Sequence, residues 1–248
     1  MTLRSIAKTI CPTPIWNSIG GARRVWVSRN DHKLSTEQVF SQIYKKRLWS
    51  GDEKYSSGDG SRETSVVDPY IQSIEKWVHD HNGSSLNAVD LGCGDFHIGR
   101  KLFHLFKSYT GMEIVSELVE LHNANHQAPG LSFIQGNAIS DPLPSGDILF
   151  IRQVLQHLSN TQIQSIISKI SAFRWALITE HHPSEGYYKT KNLDKPHGGG
   201  IRNATGSGVY LLEPPFSLKC VDSYTVLDVA ASENPKDGRI VTTCYRFL

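Results

Sequence analysis

Cysteine is sparse in this 248-residue sequence: Cys11, Cys93, Cys220 and Cys244 stand far apart and make no C-x-x-C pair. That spacing argues against a zinc knuckle or a disulfide framework and makes a reducing cytoplasm the expected setting. No run approaches the roughly 18 apolar residues that a membrane-crossing helix needs. The N-terminus lacks the continuous apolar segment of a secretory signal. Net charge is only +2, so total charge does not indicate nucleic-acid binding. Acid is missing from residues 1–30, which carry Arg4, Lys8, Arg23, Arg24 and Arg29. This basic start is either a solvated lead segment over residues 1–35 or a surface making weak contact with anionic lipid or an acidic partner. Its arginines also suit a transit peptide, although no strong amphipathic helix is evident. There is no internal repeat or low-complexity tract, and the length suits one α/β domain with additions.

Two nucleotide signatures are also missing. No G-x-x-x-x-G-K-[ST] run exists, so an NTP phosphate cradle is not expected. The dinucleotide pattern G-x-G-x-x-G is incomplete: Gly92 and Gly94 fit, His97 occupies the third glycine position, and Gly99 comes two residues late. What is present is Ala88-Val89-Asp90-Leu91-Gly92-Cys93-Gly94-Asp95, a short apolar strand running into a two-glycine turn and then a helix-like segment. Glycines there let backbone amides approach a ligand that a Cβ would hold off. The helix start behind them favours electron-rich groups.

Periodicity organises the remainder. Residues 36–49 predict a helix with Val39, Phe40, Ile43, Tyr44 and Leu48 on one face. Ser56-Ser57-Gly58-Asp59-Gly60-Ser61 predicts a loop. Asp68-Pro69 predicts the start of a second helix, with Tyr70, Ile71, Ile74, Trp77 and Val78 as its stripe. Strands are expected at 86–91, 109–113, 131–135, 147–151 and 174–179. Helices are expected at 98–106, 115–126 (with Leu118, Val119 and His122 on one side) and 161–170. Runs at 226–230 and 240–247 flank Asn234-Pro235-Lys236-Asp237-Gly238 and predict a hairpin. The expected fold class is α/β: a doubly wound, mostly parallel seven-stranded sheet with a C-terminal antiparallel hairpin and an N-terminal helical extension.

Val89, Asp90, Leu91, Gly92, Gly94 and Asp95 resemble motif I of class I S-adenosylmethionine (SAM) methyltransferases. The likeness extends through Ile43-Tyr44 to Trp49, Ser57-Gly58-Asp59-Gly60-Ser61, the Arg152–Leu158 segment R-x-x-L-x-H-L, and Asn192-Leu193-Asp194 through Gly199 and Arg202 to Pro214-Pro215-Phe216. It implies a methyltransferase domain over residues 36–248, with a helical cap at 36–82 and an acceptor-side insertion at 181–216. Within the family pattern Glu113 would take the ribose hydroxyls of SAM, since a carboxylate can accept both. Asn137, with Ala138, would meet the adenine edge; the family usually has Asp at position 137. Asp90, Gly92, Cys93 and Gly94 would line the methionine end, and Arg152 or Gln153 would lie beside the sulfonium and the acceptor. His157 is either a general base or a residue that packs and orients its loop. The chain lacks the [DN]-P-P-[YF] run of amino-methylating nucleic-acid enzymes, so no nucleic-acid partner is expected.

After the fifth strand come Glu180-His181-His182 and then Asp194, His197-Gly198-Gly199-Gly200 and Arg202. The carboxyl ends of parallel strands are where α/β sheets bind ligands. His181 or His182 is therefore a candidate general base, with Asp194 orienting it or touching the acceptor. The spacing matches no defined metal motif. Gly198–Gly200 reads as a hinge for a lid. The expected activity is methyl transfer from SAM to a small-molecule acceptor, such as a hydroxyl of a sugar or other metabolite. The alternatives are N-methylation of a small amine, a nicotinamide oxidoreductase on the same kind of sheet, and a non-catalytic partner subunit of this fold.

Overall fold

The computed structural model describes residues 34–49 and 55–247, so the basic lead segment falls almost wholly outside the described residues. Helix α1 (Thr36–Lys45) opens with a reciprocal cap: Ser35 Oγ accepts from the Gln38 amide at 3.2 Å and Gln38 Oε1 accepts from the Ser35 amide at 3.0 Å. It buries the predicted Val39, Phe40, Ile43 and Tyr44. The helix stops four residues before Trp49. Arg47 turns left-handed (φ 53°), its amide bonds to the Tyr44 carbonyl, and the Leu48 amide returns to the Ile43 carbonyl. This is the paired closure of a Schellman end, and it turns Trp49 out of the helical path.

Helix α2 (Thr64–Asp80) begins four residues earlier than Asp68-Pro69 predicts. The first amides of a helix need no intrahelical partner, and Val66 and Val67, both buried, close the first turn on the Glu63 carbonyl. Pro69 lies inside the helix as its sixth residue, where the ring removes the amide that would otherwise bond to the Ser65 carbonyl.

The sheet has seven strands in the order β3-β2-β1-β4-β5-β7-β6. They span Asn87–Leu91 (β1), Ser108–Glu113 (β2), Leu131–Gln135 (β3), Ile148–Arg152 (β4), Trp175–His182 (β5), Asp222–Ala230 (β6) and Arg239–Arg246 (β7). The first five pair in parallel, and β7 lies antiparallel to both β5 and β6. Strand order reverses at β1, between β2 and β4, and this switch point is where an open α/β sheet forms its crevice. Strand β5 runs three residues past the predicted Thr179, because β7 is long enough to pair as far as His182 with Arg239. Gly238 (φ +83°) makes the hairpin turn, and a Cβ there would stand 2.1 Å from the His182 carbonyl oxygen.

The remaining helices are the short α3 (Gly99–Leu102), α4 (Ser116–Asn125) and α5 (Asn160–Ile167). The helix expected over 98–106 tightens into a 3-10 turn at Phe103–Leu105. Period-two alternation sends strand side chains to two cores. Val89, Leu91, Leu149, Ile151 and Ile178 pack with α1, α5 and the insertion. Ala88, Ile148, Phe150, Trp175 and Leu177 pack with α2 and α3. Each such fully buried aliphatic side chain is worth about 1.5–3 kcal/mol.

Candidate active site

Three strand ends build the site. At β1, Gly92 (φ +71°) and Gly94 (φ +56°) adopt left-handed backbone that L side chains resist. Both also sit against neighbours. A Cβ on Gly92 would lie 2.7 Å from Val154 Cγ2, and one on Gly94 would lie 2.3 Å from Ser57 Oγ. At β2, the Gly92 amide bonds to the Met112 carbonyl at 2.7 Å and the Gly94 amide donates to Glu113 Oε2 at 3.0 Å. Glu113 Oε1 accepts from the Ile114 and Val115 amides at 2.9 and 3.1 Å. Burial raises the Glu113 carboxyl above its usual range, and the three amides oppose that rise by favouring the anion. Asp90, buried at the end of β1, accepts from the Tyr109 hydroxyl at 2.7 Å. Burial pushes its carboxyl up to about 6 against the pull of Tyr109 and of the Arg152 guanidinium.

At β4, the Arg152 guanidinium lies over the Tyr70 ring, 5.0 Å from its centroid, and donates to the Gly60 carbonyl at 3.0 Å. Gln153 follows with left-handed backbone (φ 56°), its amide bonded to the Thr179 carbonyl at 2.7 Å. Its side-chain oxygen would be 3.1 Å from a Cβ on Gly60. A non-glycine residue held there is strained, and such strain gathers at functional sites. Glu180 of β5 secures the following loop, accepting from the Leu155 and Gln156 amides at 3.1 Å each. Burial pushes the Glu180 carboxyl up to about 8.

The cap closes over the turn. The Asp95 amide donates to Ser57 Oγ at 2.9 Å, the Ser57 amide donates to Asp95 Oδ2 at 3.0 Å, and Tyr44 Oη shares a hydrogen bond with Ser57 Oγ at 3.1 Å. Arg62 joins Asp95 at 3.1 Å. Trp49 packs edge-on to Tyr44 and lies 5.0 Å, centroid to centroid, from the His157 ring. Its indole N–H donates to the Gly199 carbonyl at 3.4 Å.

Residues 89–171 match the family described as "Methyltransferase domain". Over these residues the chain matches a methyltransferase domain, and the sheet around them has the α/β fold of class I methyltransferases. The fold agrees with solved methyltransferases of low sequence identity. The N-methyltransferase NodS from Bradyrhizobium japonicum, in complex with S-adenosylhomocysteine (SAH), is 13% identical with a TM-score of 0.57, over 84% of this chain and 98% of that one. Magnesium protoporphyrin IX methyltransferase from Synechocystis, with bound SAM, is 14% identical (TM-score 0.51; 86% and 98%). Human N-acetylserotonin methyltransferase with SAM is 15% identical (TM-score 0.53; 87% and 61%). No curated protein matches the chain in sequence. The two left-handed glycines form a cradle that suits a nucleotide-type cofactor such as the SAM and SAH bound in these neighbours.

Among the residues expected to bind it, the methyltransferase fold gathers Asp90, Gly92, Cys93, Gly94, Glu113, Arg152 and Gln153 about the ends of β1, β2 and β4. The Cys93 thiol is pushed up by burial, and a Cβ on Gly111 would lie 3.0 Å from its sulfur. Asn137 follows β3 and makes a turn of its own, Oδ1 accepting from the Ile139 amide at 3.0 Å; Ala138 follows it, half-buried.

Structural contacts surround the three candidate histidines, and the rings of His181 and His182 are hydrogen-bonded. His157 is buried, and that burial pulls its imidazole down to about 4, so the ring is neutral. Its carbonyl accepts from the Gly198 amide at 2.9 Å, so the expected glycine hinge is tied at its first residue. His181 Nε2 meets the Asp237 carbonyl and Asn203 Nδ2. His182 Nε2 donates to the Val209 carbonyl at 3.1 Å, and the ring stacks on Tyr210 at 4.4 Å. Burial lowers both imidazoles below their usual value. Asp194 Oδ1 accepts from the Asn160 and Lys195 amides at 2.7 and 2.8 Å, rather than from either histidine.

The stretch from Asn192 to Pro214 is tied together by side chains that bond its backbone. Asn192 Nδ2 donates to the Tyr210 and Pro214 carbonyls, each at 2.9 Å, and Oδ1 accepts from the Tyr210 amide at 2.8 Å. Arg202, fully buried, donates to the Leu158 carbonyl at 2.6 Å and to the Leu193 carbonyl. Periodicity does not single out Tyr109, Tyr70 or His122 as parts of the site. For His122 the signal was a polar residue on a helix's buried face, which must find a partner.

No helix among the described residues is long and apolar enough to cross a membrane.

Proposed function

We propose that this domain transfers the methyl group of SAM to a small-molecule acceptor, at a hydroxyl oxygen. The observation that carries the reading is the Gly92–Gly94 turn at the switch point, closed by the buried Glu113 carboxylate. SAM supplies an electrophilic methyl on a sulfonium with a good leaving group. The chain's work is therefore to align the acceptor and exclude water. Glu113 binds the ribose hydroxyls through lone pairs that its amide donors leave free. Asn137 and Ala138 face the adenine edge. Asp90 and the turn receive the methionine end, with Arg152 and Gln153 beside the acceptor. Phe40, Tyr44 and Trp49 roof the site and shed water.

The choice of a hydroxyl rests on charge. Recognition of an ammonium acceptor calls for an uncommitted carboxylate. Here Asp95 and Glu180 already accept from protein donors, while Asp90 and Glu113 serve the cofactor itself. A hydroxyl must lose its proton, and His181 or His182, neutral by burial, supplies the base. The setting proposed is the cytoplasm, with the basic residues 1–30 available for weak contact with an anionic surface.

Calorimetry with SAM, SAH and NAD tests the cofactor: heat with the first two and none with NAD is expected. Labelled methyl transfer over a panel of sugars, phenols and amines tests the acceptor. Turnover restricted to amines would overturn hydroxyl methylation, and binding without any turnover would point to a partner subunit. Near-wild-type rates in both His181→Ala and His182→Ala would remove the base assignment.

A further inference from the structure

His122 is almost fully buried on α4, among Phe96, Phe133 and His126, with ring centroids 5.8, 4.9 and 5.7 Å away. A polar ring in such a place needs a partner, and it has one: Nε2 lies 2.7 Å from the Gly94 carbonyl oxygen. A carbonyl only accepts, so Nε2 carries the hydrogen. The other nitrogen, Nδ1, is buried with no partner and is therefore bare.

This bond completes a clamp on the turn. The peptide between Gly94 and Asp95 is gripped at both ends, its carbonyl by His122 and its N–H by Ser57 Oγ at 2.9 Å. The preceding peptide, between Cys93 and Gly94, is gripped as well. Its N–H goes to Glu113 Oε2 at 3.0 Å and its carbonyl accepts from the Phe96 amide at 3.0 Å. Glycine at φ +56° places little intrinsic restraint on peptide orientation. The restraint must come from these four partners, and His122 is the one supplied from the core by a helix.

We propose that His122 is a positioning residue for the cofactor, locking the Gly94–Asp95 peptide in the orientation that the bound methionine moiety requires. The inference rests on the reading that the Gly92–Gly94 turn receives SAM. It adds a residue that touches no ligand. Without the donor, the Gly94 carbonyl is left buried and unpaired or the peptide turns over, and in either case the ordering of the turn is charged against binding.

The test compares wild type, His122→Phe and His122→Gln by calorimetry with SAH, alongside unliganded melting curves. Phenylalanine keeps the ring and removes the donor; glutamine restores an N–H at similar reach. His122→Phe is expected to weaken SAH binding by about tenfold or more. His122→Gln is expected to recover most of that loss, a rescue that a merely space-filling role would not show. Wild type that binds SAH together with a folded His122→Phe that binds equally well would overturn the inference. Wild type that does not bind SAH would instead remove the underlying reading of the turn. Should His122→Phe fail to fold, nitrogen-15 NMR of the wild-type ring decides. A fixed Nε2–H tautomer whose signals shift when SAH is added is expected. A ring exchanging tautomers, or indifferent to SAH, would overturn the proposal.

Discussion

Tyr109 and Asp90 form a buried pair, the phenol donating to Oδ2 at 2.7 Å. They stand on neighbouring parallel strands, with Tyr109 registered opposite Ala88, two positions before Asp90. The bond favours the charged form of a carboxylate that burial otherwise pushes up to about 6. Tyr109→Phe should therefore raise the Asp90 carboxyl further. It should also destabilise the fold by about 1–3 kcal/mol, the cost of a buried polar group left unpaired. Denaturant unfolding and a carbonyl-carbon NMR titration of Asp90 measure the two effects.

Gly94→Ala tests the close seat of the cap. Its Cβ would lie 2.3 Å from Ser57 Oγ, on backbone that is already left-handed. The cap loop at Ser57 should be expelled and SAH binding weakened by at least about tenfold, from strain of about 1–3 kcal/mol. Calorimetry reads the affinity. Proteolysis should find new cleavage near Ser57.

Asn192→Ala removes a side chain that joins three points of the insertion through the Tyr210 amide and the Tyr210 and Pro214 carbonyls. Loss of more than about 2 kcal/mol is expected, since several buried partners lose their bonds together. The loss should appear in denaturant unfolding, with earlier protease cutting between residues 184 and 213. An unchanged unfolding midpoint would contradict the role assigned to Asn192.

The contribution of Glu180 to stability should decline as pH rises from about 4.5 to 8. Glu180 keeps its proton in the folded protein up to about 8, whereas the unfolded chain releases it near about 4.3. Across that window the unfolded state binds fewer protons, so increasing pH favours unfolding. The contribution is complete below the lower value and gone above the upper one. Glu180→Gln should flatten this slope in melting temperature against pH.

The parallel core was legible because its signals are local. Each strand announces itself by a short apolar run, and the two glycines after Asp90 mark the switch point. Helix α1 was legible from its apolar stripe, but its end was not, since no glycine marks the left-handed turn at Arg47. The two histidines read as loop residues because their strand character comes from β7, more than fifty residues away. Asn192 and Arg202 look like site residues in one dimension, because polar side chains that tie buried carbonyls have the same letters as those that bind ligands. Trp49 could be placed near the site only by resemblance, since its partner Gly199 is 150 positions distant.

Those long spans bear on how the molecule assembles on the ribosome. Leu34 accepts from His197, Thr36 from Gln162 and Gly199 from Trp49, across separations of 163, 126 and 150 residues. Helix α1 leaves the exit tunnel well before any of these anchors has been translated. Closing such large loops is slow because their entropy must be spent before the contacts form. The earliest described helix is consequently among the last to settle, and its apolar stripe must wait in the open for most of translation.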